Sequence, residues 1–394
     1  MNHDHSLLWH TPVFETEMKG QKESPYNMLI RLGTPEYNPE RYMNSDLGRR
    51  YISSIRYYAE NSGEDDPEVL EYWRLTGKGL KKELHNKDDP ENKWASYVPS
   101  SADDPKRAYQ KYPLLFVLHG GGNPIYLSET WGFIHVAAEH EVIVVMPENL
   151  EEDSLLQLLS EVKALYPVDS SRVYCTGFSR GGVISSMVTM KNPMLFAASA
   201  PCGNYACVND PFVSDEYVEQ LRKCDLPVII AAGRYEKSQQ YPIYSEINLN
   251  HYHYSTQKFD PPEARLGFRK PTTMEEKVEM LQRRLYAARC REMSIDEIQA
   301  AAFSEDPVAR MIGSPLDQTE VRIMGGVKHY IGDFINESGD SWFRMVCIDD
   351  IPHWPTPSLP ELVWEFFSRF SRDPVTGSIF DTARSKGSKK IKIR

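Results

Sequence analysis

Cysteine is scarce for a chain this long, long apolar runs are missing, and the body of the sequence has no concentrated positive charge. Each shortage removes a class of function. Six cysteines, at 175, 202, 207, 224, 290 and 347, are scattered through 394 residues. They lack the density of a secreted disulfide scaffold and read as free thiols. Cys202 and Cys207 have no second ligand pair, and His3-Asp4-His5 and His251-Tyr252-His253 have no third ligand nearby, so no metal is expected. The longest apolar runs have the length of strands, far below the ~20 residues that span a bilayer, so no membrane partner is expected. Residues 1–30 mix His3, Asp4, Glu15, Glu17, Lys19 and Lys22 with no signal-like stretch. The expectation is a cytoplasmic protein. Lys and Arg number 45 against 56 Asp and Glu, a formal net charge of −11, which argues against nucleic acid as a partner. The one basic cluster, Lys386 to Arg394, reads as a solvated tail.

What the chain does have is a regular alternation of strands and helices. Residues 1–75 are charged, rich in Tyr and Pro and weakly periodic, and read as an N-terminal extension. Leu80 to His85 and Trp94 to Val98 flank Asp88-Asp89-Pro90-Glu91-Asn92 and predict a hairpin. Strands are then expected at Leu114–Leu118, Val142–Met146, Arg172–Thr176, Leu195–Ala200 and Pro227–Ala232. Between them, helices are expected at Thr130–Glu139, Asp153–Leu165 and Ser214–Lys223. Such alternation implies a mostly parallel central sheet with helices on both faces.

Residues 237–319 break the rhythm and read as an inserted, partly helical cap, with capping-box signatures at Thr273–Glu276 and Ser294–Glu297. The sheet resumes at Glu320–Met324, and Tyr330–Ile335 and Trp342–Ile348 form a further hairpin. Ser358 to Glu361 caps a last helix carrying Leu362, Val363, Phe366, Phe367 and Phe370. The core thus divides into residues 76–236 and 320–373, and residues 374–394 form the basic flexible tail.

Two motifs carry the chemistry. Residues 177 to 181 read Gly-Phe-Ser-Arg-Gly after a strand and before a helix. In this pattern the serine occupies a tight strand-to-helix turn that its flanking glycines make possible. Ser179 is the candidate nucleophile. Residues 119 to 123 read His-Gly-Gly-Gly-Asn after the first core strand. There the amides of Gly121 and Gly122, with that of Arg180, can hold a developing oxyanion. His119 is expected to brace this loop rather than to move protons.

A serine hydroxyl needs a base, and the base needs an orienting acid. Of the 11 histidines, His353 alone falls just after the last core strand and before the terminal helix, and it is assigned as the base. Glu236, just beyond the strand Pro227–Ala232, is the candidate acid, and Asp349 or Asp350 are alternatives. Asn123, Tyr235 and Trp354 are candidate substrate contacts.

The stretches Pro113–Asn123, Val142–Pro147, Val168–Gly182 and Pro227–Gly233 resemble the polyhydroxybutyrate depolymerase and feruloyl-esterase-like branch of the α/β hydrolases. The resemblance runs from about Trp94 to Arg372, broken by the insert. It implies an α/β-hydrolase fold with a helical insert before the final strands, and a serine esterase acting on acyl esters of polymers or sugars without a cofactor. Two departures stand out. Glu236 occupies the place where the family usually has Asp, and His353-Trp354-Pro355 lacks the residue that often separates the family's His from Trp-Pro. The alternatives are an acyltransferase or peptidase of the same fold, or a non-catalytic binding protein.

Overall fold

The computed structural model describes residues 79–89, 91–120, 125, 128, 131–203, 214–233, 274–324, 327–349 and 358–387. The strands are β1 (Leu80–His85), β2 (Trp94–Pro99), β3 (Tyr112–Leu118), β4 (Ile143–Pro147), β5 (Val168–Phe178) and β6 (Ala198–Cys202), followed by β7 (Val228–Gly233), β8 (Gln318–Met324), β9 (Val327–Phe334), β10 (Phe343–Ile348), β11 (Phe370–Arg372) and β12 (Ile379–Asp381). The helices are α1 (Phe133–His140), α2 (Glu152–Leu165), α3 (Arg180–Lys191), α4 (Asp215–Cys224), α5 (Met274–Ala287), α6 (Ile295–Ala300), α7 (Pro307–Ile312), α8 (Leu359–Phe367) and α9 (Thr382–Gly387).

Among the described residues, ten strands form one sheet in the order β1-β2-β4-β3-β5-β6-β7-β10-β9-β8. The six from β4 to β10 run parallel, and antiparallel hairpins close both sides. β3, β4, β6 and β7 are buried along their whole length, which is why they read as continuous apolar runs rather than alternating ones.

Side chains on each strand point alternately to the two faces, and the cores follow that period. Leu115 and Val117 of β3, Ile229 and Ala231 of β7 and Val346 and Ile348 of β10 pack on one face with α1 and α8. On the other face Leu114, Phe116 and Leu118 meet Leu155, Leu158, Leu159 and Val162 of α2. Further along that second face, Val228, Ile230, Ala232, Met345 and Cys347 meet Val278, Leu281, Leu285, Ile298, Val308 and Ile312.

The last cluster corrects the expectation of a cap. Residues 274–312 supply α5, α6 and α7, whose apolar stripes lie on the sheet and form the covering layer of β7 and β10. The remainder of the expected insert, residues 237–273, lies outside the described residues.

Several boundaries also move. β6 begins at Ala198 and runs through Pro201 to Cys202 because Pro193–Leu195 forms a 3-10 turn and Pro201 sits next to the strand's end. The capping box at Ser294 forms as expected, with Glu297 N–H donating to Ser294 Oγ at 3.1 Å and Ser294 N–H to Glu297 Oε2 at 2.8 Å. At Ser358 no side-chain cap forms, and its hydroxyl lies instead 2.8 Å from Nε2 of buried His329. Phe370 lies beyond the end of α8 and opens β11, and α9 rather than α8 is the final helix among the described residues.

The chain past residue 373 is not all tail. β12 pairs with β11, Asp381 is buried, and it accepts hydrogen bonds from Trp342 Nε1 at 3.1 Å and Arg369 NH2 at 2.8 Å.

Candidate active site

The ends of the parallel strands define one edge of the sheet, and Ser179 stands on it between β5 and α3. Its backbone has φ 57° and ψ −116°, a conformation that costs a residue with a Cβ roughly 1–3 kcal/mol and persists only where its surroundings enforce it. Those surroundings are identifiable. Ser179 N–H donates to Cys202 O at 2.9 Å, which ties the turn to the end of β6, and Val183 N–H donates to Ser179 O at 3.0 Å to begin α3.

The two glycines of the motif are required by close packing. A Cβ at Gly177 would lie 2.4 Å from Gly181 O and 2.8 Å from Leu118 Cβ. One at Gly181 would lie 2.1 Å from Leu118 O and 2.6 Å from His119 O. The absent side chains let α3 start directly against the end of β3, where the His119 loop also starts. The turn and the loop are thereby held together.

Arg180 is the first residue of α3, so its N–H precedes the first intrahelical hydrogen bond, at the electropositive end of the helix. Its exposed guanidinium reaches Glu151 at 3.8 Å. His119 is buried, with Nδ1 2.7 Å from Gly120 O and Nε2 2.9 Å from Glu148 O. The imidazole therefore bridges the glycine loop to the chain leaving β4, in keeping with a bracing role.

The structure adds residues that the motifs did not indicate. Gly203, at φ 65°, faces the ring of Phe178, where a Cβ would come within 2.5 Å of two ring carbons. Its N–H donates to Ala231 O at 2.7 Å. Trp131 meets the same ring edge-on at 6.0 Å. Phe178, directly before Ser179, thus packs against both Trp131 and Gly203. An isolated glycine after an apolar run was the one sequence signal for this arrangement, and it reads equally as a strand end.

Neither Cys202 nor Cys175 competes as a nucleophile. Burial pushes Cys202 up to about 12 and raises Cys175 as well, so both are neutral near pH 7.

His353, Glu236, Gly121, Gly122, Asn123, Tyr235, Trp354 and Asp350 lie outside the described residues. Asp349 is described, and its N–H donates to Lys328 O at 2.8 Å, continuing the pairing of β10 with β9. The strands that lead to the candidate acid and base are adjacent: β7 and β10 are parallel neighbours, with Gly233 and Ile348 directly opposite at their ends.

No family model matches the chain. It is 28% identical over 119 residues to poly(3-hydroxyalkanoate) depolymerase C of Paucimonas lemoignei, covering 24% of this chain and 29% of that enzyme's length. The resemblance read from the motifs is met by this relative. Among solved structures, acetyl xylan esterase from Aspergillus awamori is similar over 73% of this chain and 98% of its own, with 14% identity and a TM-score of 0.40. A fluorophosphonate-binding serine hydrolase of Staphylococcus aureus is similar over 45% of this chain and 86% of its own, with 16% identity and a TM-score of 0.34. With six parallel strands, helices on both faces and a serine turn at the strand ends, the chain has the α/β-hydrolase fold.

Proposed function

We propose that this protein is a serine carboxylic ester hydrolase that works through an acyl-enzyme. The observation that carries the proposal is the enforced backbone of Ser179, which presents a hydroxyl at the strand-end edge beside the start of the glycine loop.

In the reaction, Ser179 Oγ attacks the ester carbonyl and His353 takes its proton. The tetrahedral oxyanion is held by amides of Gly121, Gly122 and Arg180, each such donor being worth about 3 to 4 kcal/mol. As the carbon–oxygen ester bond breaks, His353 returns the proton to the departing alcohol. Water, deprotonated by the same imidazole, then cleaves the acyl-serine bond and releases the acid. Glu236 orients His353 and stabilises the imidazolium.

Adjacency of the strand ends supports this set: Glu236 follows Gly233 by three residues and His353 follows Ile348 by five, from directly opposed positions. Asp349, immediately after β10, and Asp350 are the rivals for the acid. The substrate class is an acyl ester of the hydroxyalkanoate, acetyl or feruloyl type, bound with help from Asn123, Tyr235 and Trp354. No cofactor takes part.

Hydrolysis of short p-nitrophenyl esters tests the proposal. Wild type should turn them over and be silenced by a serine-reactive phosphonate bound to Ser179, whereas Ser179→Ala should do neither. Equal turnover by Ser179→Ala would overturn it. Glu236→Gln and Asp349→Asn then decide the acid, which is the one whose change lowers kcat.

A further inference from the structure

The sheet has two outer edges, and they are protected differently. β1 presents adjacent lysines, Lys81 beside Asp103 and Lys82 over the Tyr97 ring, and lysine on an edge strand discourages pairing with another chain. β8 has neither lysine nor proline in Gln318–Met324. Among the described residues no strand pairs with its outer edge. Its apolar residues are also open, with Val321 44% and Ile323 69% exposed.

β8 also has a charge pattern that matches itself. Glu320 and Arg322 lie on one face and are joined at 2.8 Å, with Arg322 reaching Glu365 of α8 at 2.5 Å. Val321 and Ile323 point to the other face. If a second β8 runs antiparallel beside the first about a twofold axis through Val321, Glu320 faces Arg322 of the second copy and Arg322 faces its Glu320. On the other face Val321 meets Val321 and Ile323 meets Thr319. One face becomes a row of alternating charges and the other a small apolar strip. Moving the axis by one residue, to Glu320 or to Arg322, changes the register by two and would set like charges opposite each other.

We propose that β8 is the interface of a homodimer, in which two copies pair β8 to β8, antiparallel and centred on Val321, to make one continuous sheet across both subunits. Such an interface is isologous, because the same strand serves both sides. It satisfies the backbone groups that an open edge leaves to water. The proposed catalytic edge lies at the ends of the parallel strands and takes no part in the pairing.

Analytical ultracentrifugation of the full chain is the test. Wild type should sediment as a concentration-dependent dimer. Glu320→Arg and Arg322→Glu should each weaken self-association by about tenfold or more, because two symmetric pairs change from attraction to repulsion. Mixing these two variants should restore association, since all-arginine and all-glutamate strands are then complementary. Val321→Asp, which leaves Arg322 and Glu365 paired, should also give a monomer, and a single cooperative thermal transition shows that it is folded. A monomeric wild type at high micromolar concentration would overturn the proposal. So would a dimer indifferent to Val321→Asp and Glu320→Arg, or a mixture that stays monomeric. Turnover of p-nitrophenyl esters is expected to be the same in all these proteins, so the dimer and the esterase stand or fall separately.

Discussion

Replacing Gly181 with alanine would place a methyl group 2.1 Å from the carbonyl oxygen of Leu118 and 2.6 Å from that of His119. A carbon–oxygen contact is ordinarily about 3.3 Å or longer, so α3 and the end of β3 would have to separate by about 1.2 Å. Neither obstacle is the free end of a side chain. β3 is hydrogen-bonded to β4 on one side and β5 on the other, so the start of α3 must yield, and Ser179 moves with it. Forcing extra volume into a packed site costs about 1–3 kcal/mol, and an obstacle made of backbone points to the upper end. With about 2–4 °C per kcal/mol in a domain of a few hundred residues, the thermal midpoint should fall by roughly 6–12 °C. Displacing the nucleophile by about 1 Å should cost about a hundredfold in rate. Rate constants for phosphonate labelling of Ser179 and kcat/KM for a p-nitrophenyl ester measure the second effect, and differential scanning fluorimetry the first. Gly339→Ala is the control, since Gly339 has φ 84° with nothing within 4 Å of an added Cβ. It should carry only a left-handed penalty of about 1–2 kcal/mol and keep full activity. If Gly181→Ala labels at the wild-type rate and melts no earlier than the control, the tight packing argued for the turn is wrong.

Arg372 is buried and donates to four carbonyl oxygens, Phe196 at 2.7 Å, Cys224 at 2.7 Å, Gly377 at 2.5 Å and Asp225 at 2.6 Å. Arg372→Met should therefore destabilise by about 3–5 kcal/mol in urea unfolding, and Arg372→Lys should recover only part of that. His85, stacked on Trp94 at 3.7 Å and 2.9 Å from Ser96 Oγ, is held below its ordinary value of 6.5 by burial, against the opposing pull of Glu83 and Glu161. The unfolded chain therefore takes up the proton first as pH falls, so stability should drop as pH is lowered through about 6.5 and be intact at neutrality. His85→Gln should flatten that part of the urea-midpoint profile. Asp169 is partly buried, which raises its carboxyl, but hydrogen bonds from Ser171 and Arg172 outweigh this and hold it below the usual range. Its contribution is present at neutral pH and lost in acid, and Asp169→Asn should remove that acid-sensitive increment.

Where the sequence pattern and the physical constraint coincided, the fold could be read in advance. Buried parallel strands must be apolar on both faces, so β3, β4 and β7 stood out as unbroken runs. Where local chemistry admits two outcomes, pattern alone chose wrongly. Ser358 precedes a Leu-Pro-Glu helix start, yet its hydroxyl goes to His329, a buried imidazole contributed by a strand 29 residues away. The amphipathic helices after residue 273 fit a cap and a sheet layer equally well, because periodicity reports which face is buried and not what buries it. Here β7 and β10 are parallel neighbours, and the face they share needs a cover. α5 to α7 provide it.

The site divides along the same line. A nucleophile turn depends on contacts between residues close in sequence, so Gly177, Ser179 and Gly181 were legible as a motif. The elements that hold that motif in place come from distant strands. Cys202 O receives the Ser179 amide and Gly203 leaves room for the Phe178 ring, and Pro201-Cys202-Gly203 offers only an isolated glycine that reads equally as a strand end. This distinction has a mechanistic consequence. A backbone as unusual as φ 57° and ψ −116° is not maintained by the five-residue motif alone. It requires the end of β6 to accept the Ser179 N–H and the end of β3 to pack against Gly181. The reactivity proposed for the hydroxyl is therefore a property of three adjacent strand ends, and a change in β6 that leaves the motif untouched should still disturb it.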